Sequence, residues 1–438
     1  MKLLVTISRI LVGSLFIVSG LVKANDSLGF SYKLEEYFQP DVLGWMSWMA
    51  PYALPLAIFI CIAEVVLGLA ILLGGKPKLT AWLTLFMILF FTWLTYYTAT
   101  CDPLGAKPCV TECGCFGNAI PLTPWQSFTK DVVLLFFILI IFFNKNKFSL
   151  NTWKEDLYIL PISVVLVAIF SAVYLDWYLP VWFTIGVFAL ALLVKFFVKG
   201  KAGEWAIAAI AAVCSTIFAL QTYNHLPFKD YRPYAIGKNI KNQMKSAEEL
   251  GLRPTRYATL YTLKNKVSGE DKKMNSKEYM EQKIGNDANW EITATGDKPI
   301  VLEKGYEPPI ADFSVTMSDG SEVGEMMLDM QGYSFWLVCY SLEKADVSRM
   351  EAINKMADAA MAEKIPFMGI TSANEQAIKD FRHEHQNMFD FLIADEIQLK
   401  TIVRSNPGLV LLKNGTVIMQ WHNNDIPDYA TIKRDFMK

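Results

Sequence analysis

Four of the chain's seven cysteines crowd into residues 101–117, which read CDPLGAKPCVTECGCFG. The spacing is C-x7-C-x3-C-x-C, and it admits three chemistries. Cys101, Cys109, Cys113 and Cys115 can brace a loop as two permanent disulfides. They can instead form an exchangeable redox pair. Bridging Cys113 to Cys115 across Gly114 closes a small ring; strained bridges are the more oxidising ones, and glycine supplies the backbone freedom such a ring needs. Four thiolates can also hold zinc, although these gaps are not the paired C-x2-C knuckles of zinc sites. A second chemistry-bearing residue is Glu64, set in an apolar run. A carboxylate there must face a bundle interior with a partner, or stay protonated. It reads as a proton relay or as a hydrogen-bonded group fixing helix packing beside Gly68. Lys23 and Asp26 read as surface anchors at the end of an apolar segment, the lysine snorkelling outward. His225, His383, His385 and His422 have no spacing to a second ligand, so no metal site is expected among them.

The elements that must position these residues are membrane helices. Only 26 of the 84 Asp, Glu, Lys and Arg residues fall in the first 222 positions, far below a soluble domain's share. Seven runs approach the ~20 apolar residues a span requires: 3–22, 52–73, 80–100, 128–143, 157–175, 178–197 and 205–223. The first sits where a signal peptide would, but Arg9 interrupts it and no small-x-small cleavage site follows, so it reads as a retained span. Lys and Arg concentrate in alternate connections, at Lys2 and Arg9, Lys76 and Lys78, Lys145, Lys147 and Lys154, and Lys195, Lys199 and Lys201. The opposite connections hold Lys23, Lys33, Lys107 and Lys130. By the positive-inside rule the N-terminus is cytoplasmic. The cysteine loop and everything after the seventh span then lie outside, in the periplasm of a bacterial inner membrane, where disulfides persist. The loop precedes Trp125 and a span that opens near Lys130 and Asp131. Thiols at that depth could pass electrons to a lipid-soluble quinone, the one cofactor the sequence suggests. A net charge of −2 and the absence of a basic stripe argue against a nucleic-acid partner.

The CGCFG run, with a Lys-Asp pair at the next span, resembles the methylamine-utilisation MauE proteins. The openings SRILVGSLFIVSGLVKANDSLGF and AEVVLGLAILLGG resemble DoxX-type membrane proteins. The likeness covers about residues 1–143. It implies a four-helix membrane core tied to thiol or sulfur redox chemistry, working beside a thioredoxin-like partner or a quinone.

Beyond the seventh span, HLPFKDYRPYAIGKNI reads as a defined linker with two prolines and Arg232. A helical run at 244–250, a strand at 257–263 and an exposed polar stretch, SGEDKKMNSKE, follow. A hairpin at Asp319-Gly320 comes next, then a strand at 333–340, a helix at 344–363, a strand at 366–371, a helix at 374–384 and a final hairpin around Asn414-Gly415. This order resembles the peroxiredoxin and TlpA-type branch of the thioredoxin-like proteins over about 305–438. The resemblance implies that Pro407, preceded by Asn406, is the cis proline facing the binding site. Where that family carries C-x-x-C, this chain has Ser341-Leu342-Glu343-Lys344. Asn406, Pro407, Ser341 and Glu343 are therefore candidate binding residues without a thiol, and Cys339 reads as a buried thiol in a strand.

The expected fold is thus multi-domain: a polytopic all-α membrane part and a soluble α/β thioredoxin-like part. The expected divisions are 1–150, a four-span unit; 151–224, three further spans; 225–304, an external linker or insert; and 305–438, the thioredoxin-like domain. Two functions fit. One is a membrane thiol–disulfide oxidoreductase, or a component of one, acting on periplasmic or membrane protein partners. The other is a non-enzymatic accessory subunit of an envelope complex whose loop disulfides are permanent.

Overall fold

Apolar runs of this length leave the backbone no partners but its own, and they fold as helices. The structure, a computed structural model, describes residues 2–100, 110, 114, 116–296, 299–303 and 305–438. Among these, seven helical segments are long and apolar enough to cross a membrane. They are Lys2–Asn25, Gly44–Leu73, Pro77–Thr100, Pro124–Phe143, Trp153–Leu175, Leu179–Phe197 and Lys201–Asn224, numbered here as the first to seventh spans. The fourth is longer than its apolar run. Thr123 starts it early with a capping box, its hydroxyl accepting from the Gln126 N–H while the Gln126 side chain accepts from the Thr123 N–H. Large apolar side chains such as Phe86, Phe136 and Leu157 stay exposed on the bundle, as lipid-facing residues do.

The first two spans touch backbone to backbone. A Cβ on Gly13 would lie 2.8 Å from the Gly68 carbonyl oxygen, one on Gly68 2.7 Å from that of Gly13, and one on Gly20 2.8 Å from that of Cys61. Glycine is what allows so close an approach. A short helix, Ser27–Tyr37, follows the first span. Asp26 caps it by accepting from the Gly29 N–H, so this residue is a helix cap rather than a membrane anchor.

At the other end of the bundle, Arg9 is buried. Its guanidinium donates to the Ile71 and Leu72 carbonyls at 2.8 and 2.9 Å and to Asn151 Oδ1 at 2.6 Å. A cation there satisfies carbonyls that the second span's last turn leaves open. Asn151 Nδ2 also donates to Asp156 Oδ1 at 3.0 Å, and Asp156 pairs with Lys195. One polar network thus ties the first two spans to the fifth and sixth. Arg9 and Lys195, read from sequence as charges of the connections, are structural links.

The second unit comprises Asn224–Leu226 and Asp230–Lys438. Its strands are β1 (Arg256–Ala258), β2 (Leu260–Asn265), β3 (Asp271–Asn275), β4 (Trp290–Thr295), β5 (Ile300–Glu303), β6 (Val315–Thr316), β7 (Tyr333–Cys339), β8 (Phe367–Thr371), β9 (Phe391–Ala394), β10 (Gly408–Lys413) and β11 (Thr416–His422). Six of them form one sheet in the order β11-β10-β7-β8-β9-β6, with β7, β8 and β9 parallel. Alternation along β7 sends Phe335, Leu337 and Cys339 to one face and Trp336 and Val338 to the other, so both faces are cores. Tyr234 and Ile240 pack in the second of these cores, and Ile240 N donates to the Gly415 carbonyl at 2.9 Å. The segment read as a linker is part of the domain. Arg232 is buried there, donating to Asp230 at 2.7 Å.

Three expectations shift. The helix placed at 344–363 begins at Met350, because Ser341–Asp346 forms a loop first. The run expected to be helical at 244–250 is turn instead, and the helix, Ile240–Met244, ends where that run begins. The polar stretch SGEDKKMNSKE contains β3, whose Met274 turns inward against β2, and the start of a helix, Ser276–Glu281.

Candidate functional site

Ionisable groups gather at the end of the bundle where the cysteine loop attaches. Lys23, in the last turn of the first span, and Glu64, mid-way along the second, form a buried ion pair. The ammonium donates to both carboxylate oxygens at 2.7 Å and to Ser19 Oγ at 2.7 Å. Lys23 is 4% exposed and Glu64 5%. The expected snorkelling of Lys23 is therefore overturned. The lysine points inward because an unpaired carboxylate in lipid costs far more than the reach to a surface gains.

A second pair lies beside it. Lys130 donates to Asp131 Oδ1 at 2.5 Å, and the other oxygen of this buried carboxylate accepts from Thr95 Oγ1 at 3.0 Å. Between the two pairs is a chamber of about 30 Å³ lined by Ser19, Lys23, Phe91, Phe116, Lys130 and Asp131. That volume admits water, and the polar lining would hold it. Of the two carboxylates only Asp131 lines this space, with the Lys23 and Lys130 ammonium groups and the Ser19 hydroxyl, while Glu64 stands behind Lys23; a proton could be taken up and returned at the Asp131 oxygens.

The four loop cysteines, Cys101, Cys109, Cys113 and Cys115, lie outside the described residues, while Thr100, Val110, Gly114 and Phe116 beside them are described. Gly114, between two of them, has φ +71° and stands against Lys33 and Phe30 of the short helix. Phe116, one residue past Cys115, is buried, and its ring lies 5.6 Å from Lys130 Nζ. Phe116, in the described part of the CGCFG run, therefore forms part of the chamber wall. Sequence reasoning singled out Glu64 and noted the Lys-Asp pair; it missed the Lys23 partner and Thr95. Lys23 carried one usable signal: it sits close to the end of a span whose neighbour holds a carboxylate in need of a partner.

In the second unit, the Asn406–Pro407 bond is cis and Pro407 is buried. The Asn406 amide donates to the Ser341 carbonyl at 2.8 Å, and Asp346 N donates to the Asn406 carbonyl at 2.9 Å. The structure brings Asn406, Pro407 and Ser341 together, with Glu343 exposed on the same loop. Cys339 is fully buried, and burial pushes its thiol up to about 12. It is a free thiol held in its unreactive form.

Residues 1–144 match the family described as methylamine utilisation protein MauE. The chain is also similar to Protein TlpB of Flavobacterium psychrophilum, 31% identical over 164 residues, which are 37% of this chain and 42% of that protein. The chain thus spans under half the length of this curated relative. No solved structure matches it. Together with the seven spans and the α/β sheet, these likenesses support a membrane protein with a MauE-like first part.

Proposed function

We propose that the chain is an inner-membrane thiol–disulfide redox protein for maturing proteins of the bacterial envelope. Its loop cysteines, with Cys113 and Cys115 as the exchanging pair, would take electrons from a client. Two client thiols become a disulfide as the loop disulfide becomes a dithiol. Reoxidising that dithiol releases two electrons and two protons; a quinone takes both and leaves as quinol. Cys101 and Cys109 would resolve or brace the loop. Glu64 and Asp131, under Phe116, would receive the protons. The thioredoxin-like unit, with no cysteine in the Ser341–Lys344 turn, would hold a client or partner near Asn406, Pro407 and Glu343 without reacting. In this reading the N-terminus is cytoplasmic and both the loop and the second unit are periplasmic.

The observation that carries the reading is the pair of ion pairs, Lys23–Glu64 and Lys130–Asp131, flanking a small space whose wall includes Phe116, at the described end of the cysteine loop. Burying charge in a membrane is costly, and ionisable groups held at depth are the usual members of proton relays. Cys113→Ser and Cys115→Ser test it. One of the two should trap a client as a mixed disulfide, seen on non-reducing gels. If neither traps a partner and both support full function, the redox reading fails.

The accessory reading is favoured by one observation. Asn406 occupies the Ser341 carbonyl, and Cys339 is buried, so the second unit has no reactive thiol among its described residues. Redox titration separates the two. A loop potential below about −300 mV suits permanent bridges, and a much higher one suits exchange.

A further inference from the structure

At the end of the bundle where Arg9 lies, a groove of about 100 Å³ separates the second and third spans from the seventh. Its walls include Leu69, Leu79, Leu83 and Ala208, and two charged residues, Lys76 and Glu204, line it as well. Leu79 and Leu83 are exposed on the outside of the bundle, so the groove opens toward lipid. Lys76 belongs to the turn between the second and third spans, and Glu204 to the first turn of the seventh. Both charges therefore stand at one end of an otherwise apolar groove, at the level where a span meets the membrane surface.

Lys76 has φ +41°, a conformation that a residue with a side chain keeps only where something fixes it. Here its N–H donates to Glu204 Oε2 at 2.5 Å, which joins the turn to the seventh span. The two side-chain charges are not spent on each other. The Lys76 ammonium lies over the Trp205 ring, 5.5 Å from its centre, and no described residue accepts from it. Glu204 Oε1 has no donor among the described residues. Both residues are half-buried. A cation without an acceptor and a carboxylate oxygen without a donor, partly withdrawn from water, cost free energy until partners arrive.

We infer that this groove binds one phospholipid with a phosphoethanolamine headgroup. An acyl chain lies along Leu69, Leu83 and Ala208, the phosphate accepts from the Lys76 ammonium, and the lipid's primary ammonium donates to Glu204 Oε1. Charge complementarity selects this class of lipid. Phosphatidylglycerol brings the phosphate but no cation for Glu204. Phosphatidylcholine brings a cation that has no N–H to donate. Free phosphate or free ethanolamine has no chain for the groove. The bound lipid bridges the seventh span to the second and third. None of the residues lining this groove lines the chamber beside Lys130 and Asp131, so the site stands apart from the redox reading.

Native mass spectrometry of the full chain tests the site, with the protein delipidated in detergent and then offered the three phospholipids with identical acyl chains. The wild type should retain one phosphatidylethanolamine per chain, about tenfold over either competitor, the worth of one charge-assisted hydrogen bond. Glu204→Gln, whose amide oxygen can still accept from the Lys76 N–H, should lose that preference. Lys76→Gln should lower retention of all three lipids. Ala208→Trp, which fills the groove, should reduce retained phosphatidylethanolamine about tenfold. Ala209→Trp, at an exposed neighbouring position that does not line the groove, should retain it as the wild type does. A preference for phosphatidylglycerol or phosphatidylcholine, no preference, or a preference that survives Glu204→Gln overturns the site. Full retention by Ala208→Trp does the same. If Ala208→Trp does not fold, Glu204→Gln and Lys76→Gln, which leave the groove's apolar walls intact, decide alone.

Discussion

Breaking one half of a buried ion pair strands the other half, and in the Lys23–Glu64 pair the stranded charge would lie between two membrane helices. Lys23→Met or Glu64→Leu alone should cost about 3–5 kcal/mol, read as a lower unfolding temperature in detergent. The double change, which removes both charges, should recover most of that loss. Equal losses in the single and double variants would mean the pair is not what holds the spans. In the second unit, burial lowers the His422 pKa below 6.5. A depressed folded-state pKa favours the neutral ring, so its contribution is present above about pH 6.5 and is lost as pH falls through that value and below. His422→Asn should flatten the acid limb of the stability profile measured by thermal denaturation. Glu64 was legible from sequence because a carboxylate in an apolar run has few explanations. Lys23 was not, because a lysine at the end of a span has a default home at the surface. Only the distance between two spans, which no single run encodes, assigns it inward.

Elements were legible where one signal sufficed. The seven spans follow from length and hydropathy, and β10 and β11 from an apolar run broken by Asn414-Gly415. β9 and the helix Glu396–Ile402 were missed, because four- and seven-residue elements are too short to show a period. Asp395 carried the one available signal, capping that helix by accepting from Ile397 N and Gln398 N. The late start of the helix at Met350 has a cause outside it. The Ser341–Asp346 loop is held by Asn406, whose amide and carbonyl bond to both ends of it. Asn406→Ala should leave the Ser341 carbonyl open, cost about 1 kcal/mol, and speed amide exchange across 341–346 in deuterium-exchange mass spectrometry. Unchanged exchange there would show that the loop is held by its own turns.

For the whole molecule, the proposed topology of seven crossings puts the cysteine loop and the second unit on the side opposite the N-terminus. Alkaline phosphatase fused after Tyr223 should be active, and the same fusion after Asn144 inactive. The reverse pattern would invert the protein and remove its loop from the oxidising side. What the sequence could not foretell at this scale was that residues 234–240 complete the second unit's core, since a proline-containing stretch after a membrane helix has the composition of a spacer. The contact of Gly13 and Gly68 has a consequence for how the chain is made. A charge at the centre of a lone membrane helix costs about 2.5–3.5 kcal/mol, the position Glu64 approaches, and Arg9 and Lys23 cost less nearer the ends of theirs. With no side chains at those glycines to hold them apart, the first two helices can close on each other as they leave the translocon. Glu64 then meets its lysine, and Arg9 the second helix's terminal carbonyls, before either is left facing lipid. The order in which the ribosome delivers these two segments is thus also the order in which their charges are neutralised, and a long insertion between them would expose the newborn chain to membrane quality control.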